Sequence, residues 1–397
     1  VELLDEREVA VLTRSGVRVY DHFGNERALK PIHVDWDVEA AEKGGYAHFM
    51  LKEIHEEPAA LKKTFSAHVD AEKMAIRPGA FPISVEEANS LRTLTIVACG
   101  TAYHAGVVGK YVIEKLARLP VVVDVASEFR YRNPILGAGD CFLAISQSGE
   151  TADTLAALRE AKSRGAHTVS IVNVVESTIA RESDDVIYTM AGPEIAVATT
   201  KAFSAQLAAV YLLALRLSRA VGRLNESEEK RHCEALLRLP EQIEQILENE
   251  ELFKPVAERF SKASSIFFIG RGLDYSISLE GSLKLKEISY IKSEAYAAGE
   301  LKHGTISLIE PGTPVFAVAT QPDLFEKTLG NIREVKSRGA YVAALVGEDC
   351  ENAGEFSDVA IKVPSTLPEY MPSLNVVPLQ LIAYFTAVER CLLYTSP

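Results

Sequence analysis

Three hydroxyl side chains crowd one turn within the stretch Phe142-Leu-Ala-Ile-Ser-Gln-Ser-Gly-Glu-Thr-Ala-Asp-Thr154. An apolar run stops at Ser146, a Ser-Gln-Ser-Gly turn follows, and the residues from Glu150 onward read as the start of a helix. That order builds an anion site. The first N–H groups of a helix have no intrahelical partner, and the helix dipole favours negative charge there. Ser146, Ser148 and Thr151 add hydroxyl donors, and Gly149 lets the backbone curl close to a ligand. A bound phosphate is the economical reading. The plainer alternative is that these residues only cap a helix, as Ser and Thr commonly do. One hydroxyl would suit a cap; three around one turn favour phosphate.

A second cluster lies in Leu279-Glu-Gly-Ser-Leu-Lys-Leu-Lys-Glu-Ile-Ser-Tyr290, where Glu280, Lys284 and Glu287 share one helix face at i, i+4 and i+7. A solvated stripe of ion pairs is the default for such spacing. The segment starts soon after the strand end Ile269-Gly-Arg-Gly272, however, where a ligand crevice is expected and buried Lys and Glu could carry protons. His303 follows in a small-residue stretch, and a loop histidine taken alone more often faces solvent than substrate. In Cys99-Gly-Thr-Ala-Tyr-His-Ala-Gly106 a strand ends and a helix opens. Ligands of open parallel sheets sit beyond the carboxyl ends of the strands, so Thr101 should face the same crevice as Ser146. Cys99 has no electropositive neighbour to activate it and is not read as a nucleophile. His104 reads as a packing residue at the helix start rather than a base.

The elements that must position these groups alternate along the chain. Residues Glu8 to Val19 alternate apolar and polar around Ser15-Gly16, a hairpin signal. From Val38 the period becomes helical, with Tyr46, Phe49, Met50 and Ile54 on one face and Pro58 opening another helix. Apolar runs then alternate with helices: 94–98, 121–125, 141–145, 168–172 and 186–188 read as strands without clean alternation, as strands buried on both faces do. The fold class is therefore α/β, a parallel sheet covered by helices. The charged helical stretch from Asn225 to Lys262, broken at Pro240 and Pro255, reads as a domain boundary. The second half repeats the first. Arg159-Glu-Ala-Lys-Ser-Arg-Gly-Ala166 recurs as Arg333-Glu-Val-Lys-Ser-Arg-Gly-Ala340, and Ile96-Val-Ala-Cys-Gly100 resembles Ile266-Phe-Phe-Ile-Gly270, so two copies of one domain are expected. At the place of the serine turn the second copy has Thr320-Gln-Pro-Asp323, whose carboxylate would repel phosphate.

A formal charge of −13 argues against a nucleic-acid surface or an anionic membrane as partner. Cys99, Cys141, Cys233, Cys350 and Cys391 form no metal spacing and suit a reducing cytosol, so a cytoplasmic location and no metal or other cofactor are expected. No apolar run is long enough to span a bilayer.

Taken together, Cys99-Gly-Thr, Ser146-Gln-Ser-Gly-Glu-Thr-Ala-Asp-Thr, Thr200-Lys-Ala-Phe, Leu283-Lys-Leu-Lys-Glu-Ile-Ser-Tyr-Ile and Glu294-Ala-Tyr-Ala-Ala-Gly-Glu-Leu-Lys-His-Gly resemble the glutamine–fructose-6-phosphate aminotransferases, from Val1 to about Glu389. The stretch Trp36 to Ile54 also resembles that family. The resemblance implies two tandem flavodoxin-like, three-layer αβα sugar-isomerase (SIS) domains. It divides the chain into a glutaminase-domain remnant (1–35), linker helices (36–65), a first SIS domain (66–222), a second (223–390) and an aberrant tail (391–397). It implies conversion of fructose 6-phosphate and ammonia to glucosamine 6-phosphate, the first step of hexosamine synthesis, with ammonia delivered by a glutaminase domain. By resemblance Thr101, Ser146, Gln147, Ser148 and Thr151 bind the sugar phosphate, and Val197 and Thr199 contact the sugar. Glu287 moves a proton between C1 and C2 beside Lys284, while His303 opens the sugar ring in a neighbouring subunit's site, implying a homodimer.

Departures from the family set further expectations. The family's glutaminase nucleophile is not in the sequence, so the chain as written should not hydrolyse glutamine and would need free ammonia. Cys391-Leu-Leu-Tyr-Thr-Ser-Pro397 does not resemble the family's lysine-bearing tail, and Ala102 stands where many members carry serine. The chain is expected to bind sugar phosphate with little synthase activity. A sugar-phosphate-sensing regulatory module is the alternative from another class, and a simple phosphosugar isomerase or deglycase the alternative among enzymes.

Overall fold

Positive-φ glycines explain why the repeated octapeptide is repeated. In the computed structural model, which describes residues 2, 4, 7–31, 42–77 and 84–393, Gly165 has φ +85° and Gly339 φ +84°. Each follows the last turn of a helix. The next amide, of Ala166 or Ala340, reaches back to the carbonyl of Ala161 or Val335, both at 3.2 Å. This is a left-handed helix stop that glycine adopts without strain. The lysine of each copy then pairs with an aspartate just ahead of the second strand that follows, Lys162 with Asp184 at 2.7 Å and Lys336 with Asp358 at 2.8 Å. Those aspartates accept the amides of Thr168 and Val342 at 2.9 and 2.7 Å. The octapeptide thus encodes a helix stop, a turn and the start of the next strand.

The described residues fall into two units, Val1–Gly44 and Gly45–Pro397. The first holds an antiparallel sheet of β1 (Val9–Thr13), β2 (Gly16–Tyr20) and β3 (Glu26–Arg27), with Thr13 opposite Gly16 as the hairpin pattern requires. Arg27 grips Glu8 at 2.6 and 2.7 Å and Glu2 at 2.6 Å.

The second unit opens with α1 (Phe49–His55) and α2 (Glu57–His68). Tyr46 lies ahead of α1 rather than on it, because Gly44 and Gly45 both take positive φ and turn the chain before a helix can start. The family-like residues Trp36 to Ala41 lie outside the described residues. A small hairpin of β4 (Val69–Asp70) and β5 (Ala75–Ile76) and the short α3 (Val85–Ser90) follow. The first copy then comprises β6 (Thr93–Ala98), α4 (Gly100–Leu116), β7 (Val121–Val125), α5 (Ala126–Phe129), β8 (Asp140–Ser146), α6 (Ala152–Ser163), β9 (His167–Val172), α7 (Thr178–Glu182), β10 (Asp185–Tyr188) and α8 (Lys201–Ala220). After α9 (Glu226–Leu247) and α10 (Lys254–Ser261) the second copy repeats the plan. It has β11 (Ser265–Gly270), α11 (Leu273–Ser289), β12 (Lys292–Ala297), β13 (Pro314–Ala319), α12 (Phe325–Ser337), β14 (Tyr341–Gly347), β15 (Val359–Val363) and α13 (Met371–Glu389). The sheets run β10-β9-β8-β6-β7 and β15-β14-β13-β11-β12, the same order, and every pairing is parallel. In this flavodoxin-like order the switch point falls between the first and third strands, β6/β8 in one copy and β11/β13 in the other.

One expectation about the connection fails. Pro240 does not break a helix: α9 runs through it, because Leu236, Leu239, Ile243 and Ile246 keep one continuous buried face that outweighs the lost backbone hydrogen bond. Pro255 instead sits in the first turn of α10, where its missing N–H costs nothing. The stretch also packs broadly: α9 lies on both α2 and α13, and one apolar core takes residues from both copies. Among the described residues one helix, Pro368–Glu389, is long and apolar enough to cross a membrane, and 94% of its apolar window is buried in protein. The copies meet where α4 packs on α11, and that contact brings the two clusters of candidate residues together.

Candidate active site

Turn Ser146–Thr151 is held rigid by its own hydroxyls and by the neighbouring loop. Ser146 Oγ accepts the Gly149 amide at 3.0 Å and lies 3.1 Å from Thr151 Oγ1, and Ser148 Oγ accepts the Glu150 amide at 3.2 Å. Gly149 has φ +65°, and a Cβ there would fall 1.9 Å from Ser177 Oγ, so only glycine fits. Carbonyls of Gln147 and Gly149 accept the amides of Asn173 and Ile179 at 3.1 and 2.9 Å. Neither helix that starts here has a side-chain cap: α6 begins after Thr151 and α4 after Cys99, each without one. Capping therefore does not account for the three hydroxyls, and two uncapped helix starts, each with positive dipole ends, meet at the β6/β8 switch point.

Across from the turn stands α11. Glu280 and Lys284 are fully buried, with side chains 0% and 1% exposed, while Glu287 keeps 28%. Lys284 Nζ lies 2.6 Å from Glu287 Oε2 and 3.6 Å from Glu280 Oε1. Burial disfavours the ammonium, but the two carboxylates outweigh it and hold the Lys284 pKa above its ordinary value. Glu280 is the hub. Its Oε1 accepts the Thr101 hydroxyl at 3.0 Å and its Oε2 lies 2.7 Å from His104 Nδ1. Burial pushes this carboxyl up, yet Lys284, then His104 and Thr101, pull it below the usual carboxylate range. Glu280 and Lys284 form an interior network rather than the default solvated stripe, because α4 covers them, and Glu287 stays partly exposed.

Turn and network line one cavity of about 340 Å³. Its walls include Thr101, Ser146, Gln147, Ser148, Thr151, Thr199, Lys284 and Glu287, so eight of the ten residues singled out from the sequence meet there. The other two do not. Val197 is 62% exposed and His303 is exposed at the end of the short helical turn Ala298–His303; neither lines the cavity. Thr101 borders the cavity, but its hydroxyl is engaged by Glu280.

Four further residues were not picked out as site residues. Glu280 was visible as a helix neighbour of Lys284, but its burial was not. His104, read as a packing residue, completes the Glu280 network. Gln206 lines the cavity from α8, and its Oε1 has no hydrogen-bond partner among the described residues. Glu194 caps α8 from a distance, its Oε1 accepting the amides of Thr200 at 2.9 Å and Ala202 at 3.2 Å. Burial of that carboxyl, then the nearby Glu53 carboxylate, push it up to about 7. Glu53 in turn accepts the amides of Ile195 and Ala196 at 2.6 and 3.0 Å, so two carboxylates from different elements shape the loop that carries Thr199.

Comparison with known proteins agrees with this geometry. The model of the SIS domain matches residues 89–216 and 259–390, one match per copy. A glutamine–fructose-6-phosphate aminotransferase [isomerizing] of Clostridium tetani is 52% identical over 390 residues, covering 98% of this chain and 64% of that protein. The chain thus spans a little under two thirds of the length of such relatives. Among solved structures, the C-terminal domain of glucosamine-fructose-6-phosphate aminotransferase from Francisella tularensis is 38% identical with a TM-score of 0.85, covering 88% of this chain and 98% of that one. A glucosamine-6-phosphate deaminase from Thermotoga maritima is 25% identical with a TM-score of 0.65, covering 86% and 95%. With the domain matched twice over most of its length, the chain belongs to the SIS domain family.

Proposed function

We propose that this chain is the isomerase part of a glutamine–fructose-6-phosphate aminotransferase, binding fructose 6-phosphate and forming glucosamine 6-phosphate with ammonia. One observation carries the reading: a hydroxyl-rich anion turn and a buried lysine–carboxylate pair line the same cavity of about 340 Å³. Amides and hydroxyls of Ser146–Thr151 hold the phosphate and so fix which carbons of the sugar face α11. Glu287 is the partly exposed member of the carboxylate–lysine network, and it shuttles a proton between C1 and C2. Lys284 holds that carboxylate in place at 2.6 Å, and Glu280 holds Lys284. His303, exposed and away from this cavity, opens the ring in a partner subunit's site of a homodimer. The reaction is placed in the cytoplasm, which suits five unpaired cysteines.

Proton exchange tests the chemistry without requiring amination. With fructose 6-phosphate in D₂O, the chain should catalyse exchange at C1, and Glu287→Gln should abolish it while leaving binding of glucosamine 6-phosphate intact. Exchange that survives the substitution would remove Glu287 from its role.

A further inference from the structure

The second copy contains the counterpart of the phosphate turn, and a side chain of the protein already occupies it. Thr320 and Gln321 leave β13 as Ser146 and Gln147 leave β8, and Arg271-Gly272 lead into α11 as Cys99-Gly100 lead into α4. Asp274 stands in the first turn of α11, as Thr101 and Ala102 stand in the first turn of α4. Asp274 Oδ2 accepts the amides of Thr320 at 2.8 Å and Gln321 at 3.1 Å, and Oδ1 accepts the Thr320 hydroxyl at 2.6 Å. Asn375, on α13, donates to Thr320 Oγ1 at 2.7 Å and lies 3.4 Å from Oδ1. Asp274 is 1% exposed, and among the described residues no cation neutralises it. Burial pushes its carboxyl up to about 6, against the Thr320 hydroxyl and the Thr320 and Gln321 amides, which pull it down. It does not cap its own helix: α11 has no side-chain cap, and the carboxylate crosses to the end of the neighbouring strand.

We propose that the β11/β13 switch point is a retained oxyanion site whose resident anion is the Asp274 carboxylate, built into the chain where the first copy leaves room for a substrate phosphate. The comparison rests on the phosphate reading of the first copy. The site itself rests on neutral donors converging on one buried carboxylate, and its test involves no sugar. Removing the side chain leaves those donors unpartnered around a space of carboxylate size, which a free oxyanion of that size can enter.

The experiment compares unfolding of the full chain and of Asp274→Ala in sodium formate and in sodium chloride at equal ionic strength. In chloride the variant should be less stable than the parent. Formate at ten times its dissociation constant should raise the variant's folded-to-unfolded ratio about elevenfold, saturably, and leave the parent unchanged. Asp274→Asn, whose amide fills the space without charge, should lose stability and gain nothing from formate. If Asp274→Ala does not fold in chloride, refolding yield in the two salts becomes the readout. A formate effect absent from Asp274→Ala, or equal in all three proteins, overturns the proposal, as does failure to refold in either salt. A sugar-binding failure in the first copy would leave these outcomes untouched.

Discussion

At the β6/β8 junction of the first copy, Ala102 leaves a cavity open in front of Ser146 and Ser148; at the β11/β13 junction of the second, Asp274 places a carboxylate against Thr320 and Gln321. Around these junctions the copies agree in strand order, helix stop and lysine–aspartate pair. Duplication therefore kept the scaffold and divided the work. One copy supplies the turn proposed to bind phosphate; the other closes its own turn and contributes α11, whose Glu280 bonds Thr101 and His104 and whose Lys284 and Glu287 line the first copy's cavity. The open site has the Ala102 methyl in the first turn of its helix, and the filled site has the Asp274 carboxylate in the first turn of its own.

The comparison can be broken most severely at Glu287, the proposed catalytic carboxylate. Glu287→Gln should lower turnover by about 10²- to 10⁴-fold, the usual range for a lost acid–base group, with glucosamine 6-phosphate affinity nearly unchanged. Making the first copy resemble the second is the next largest step. Ala102→Asp should weaken glucosamine 6-phosphate binding at least about a hundredfold through like-charge repulsion, as read by calorimetry. Subunit mixing addresses the proposed dimer. His303→Ala and Glu287→Gln chains, each inactive alone, should regain about a quarter of full activity when mixed, because half of each mixed dimer is intact. Parental inactivity of the mixture would place His303 outside a shared site.

A further prediction concerns a carboxyl outside both junctions. Glu57 is fully buried, its Oε2 accepts the Ser204 hydroxyl at 2.8 Å, and burial pushes it up to about 8. The folded chain then keeps this proton to higher pH than the unfolded chain does. Its contribution is full below the ordinary carboxylate range and is lost as pH rises toward about 8. Stability should fall across that window by up to about 1.4 kcal/mol per pH unit from this group. Glu57→Gln should flatten that part of the curve in denaturant titrations, and an unchanged slope would contradict the assignment.

How far these features were legible depends on how local their causes are. The strand–turn–helix at Ser146–Thr151 could be read because strand end, hydroxyls, Gly149 and helix start lie within ten residues. The duplication could be read because Gly165 and Gly339 answer the same backbone need and bring their neighbours with them. The burial of Glu280 and Lys284 could not, since it comes from α4 packing on α11, about 180 residues apart in sequence. The same contact turned His104 from a packing residue into a partner of Glu280. Glu194 escaped notice because it caps α8 from six residues upstream through a loop with no sequence signature. Pro240 misled because its local cost is smaller than the buried face it interrupts. The roles of Glu287 and His303 came from family resemblance, and only Glu287 lies on the cavity.

The central claim, that the turn Ser146–Thr151 holds a sugar phosphate, is tested most directly by calorimetric titration of the purified chain with glucosamine 6-phosphate, with glucosamine as control. The account predicts one saturable site per chain that requires the phosphate and weakens about 10- to 100-fold in Ser148→Ala, the cost of one hydrogen bond to a charged group. Folded protein that binds neither sugar, or binds both alike, would contradict it.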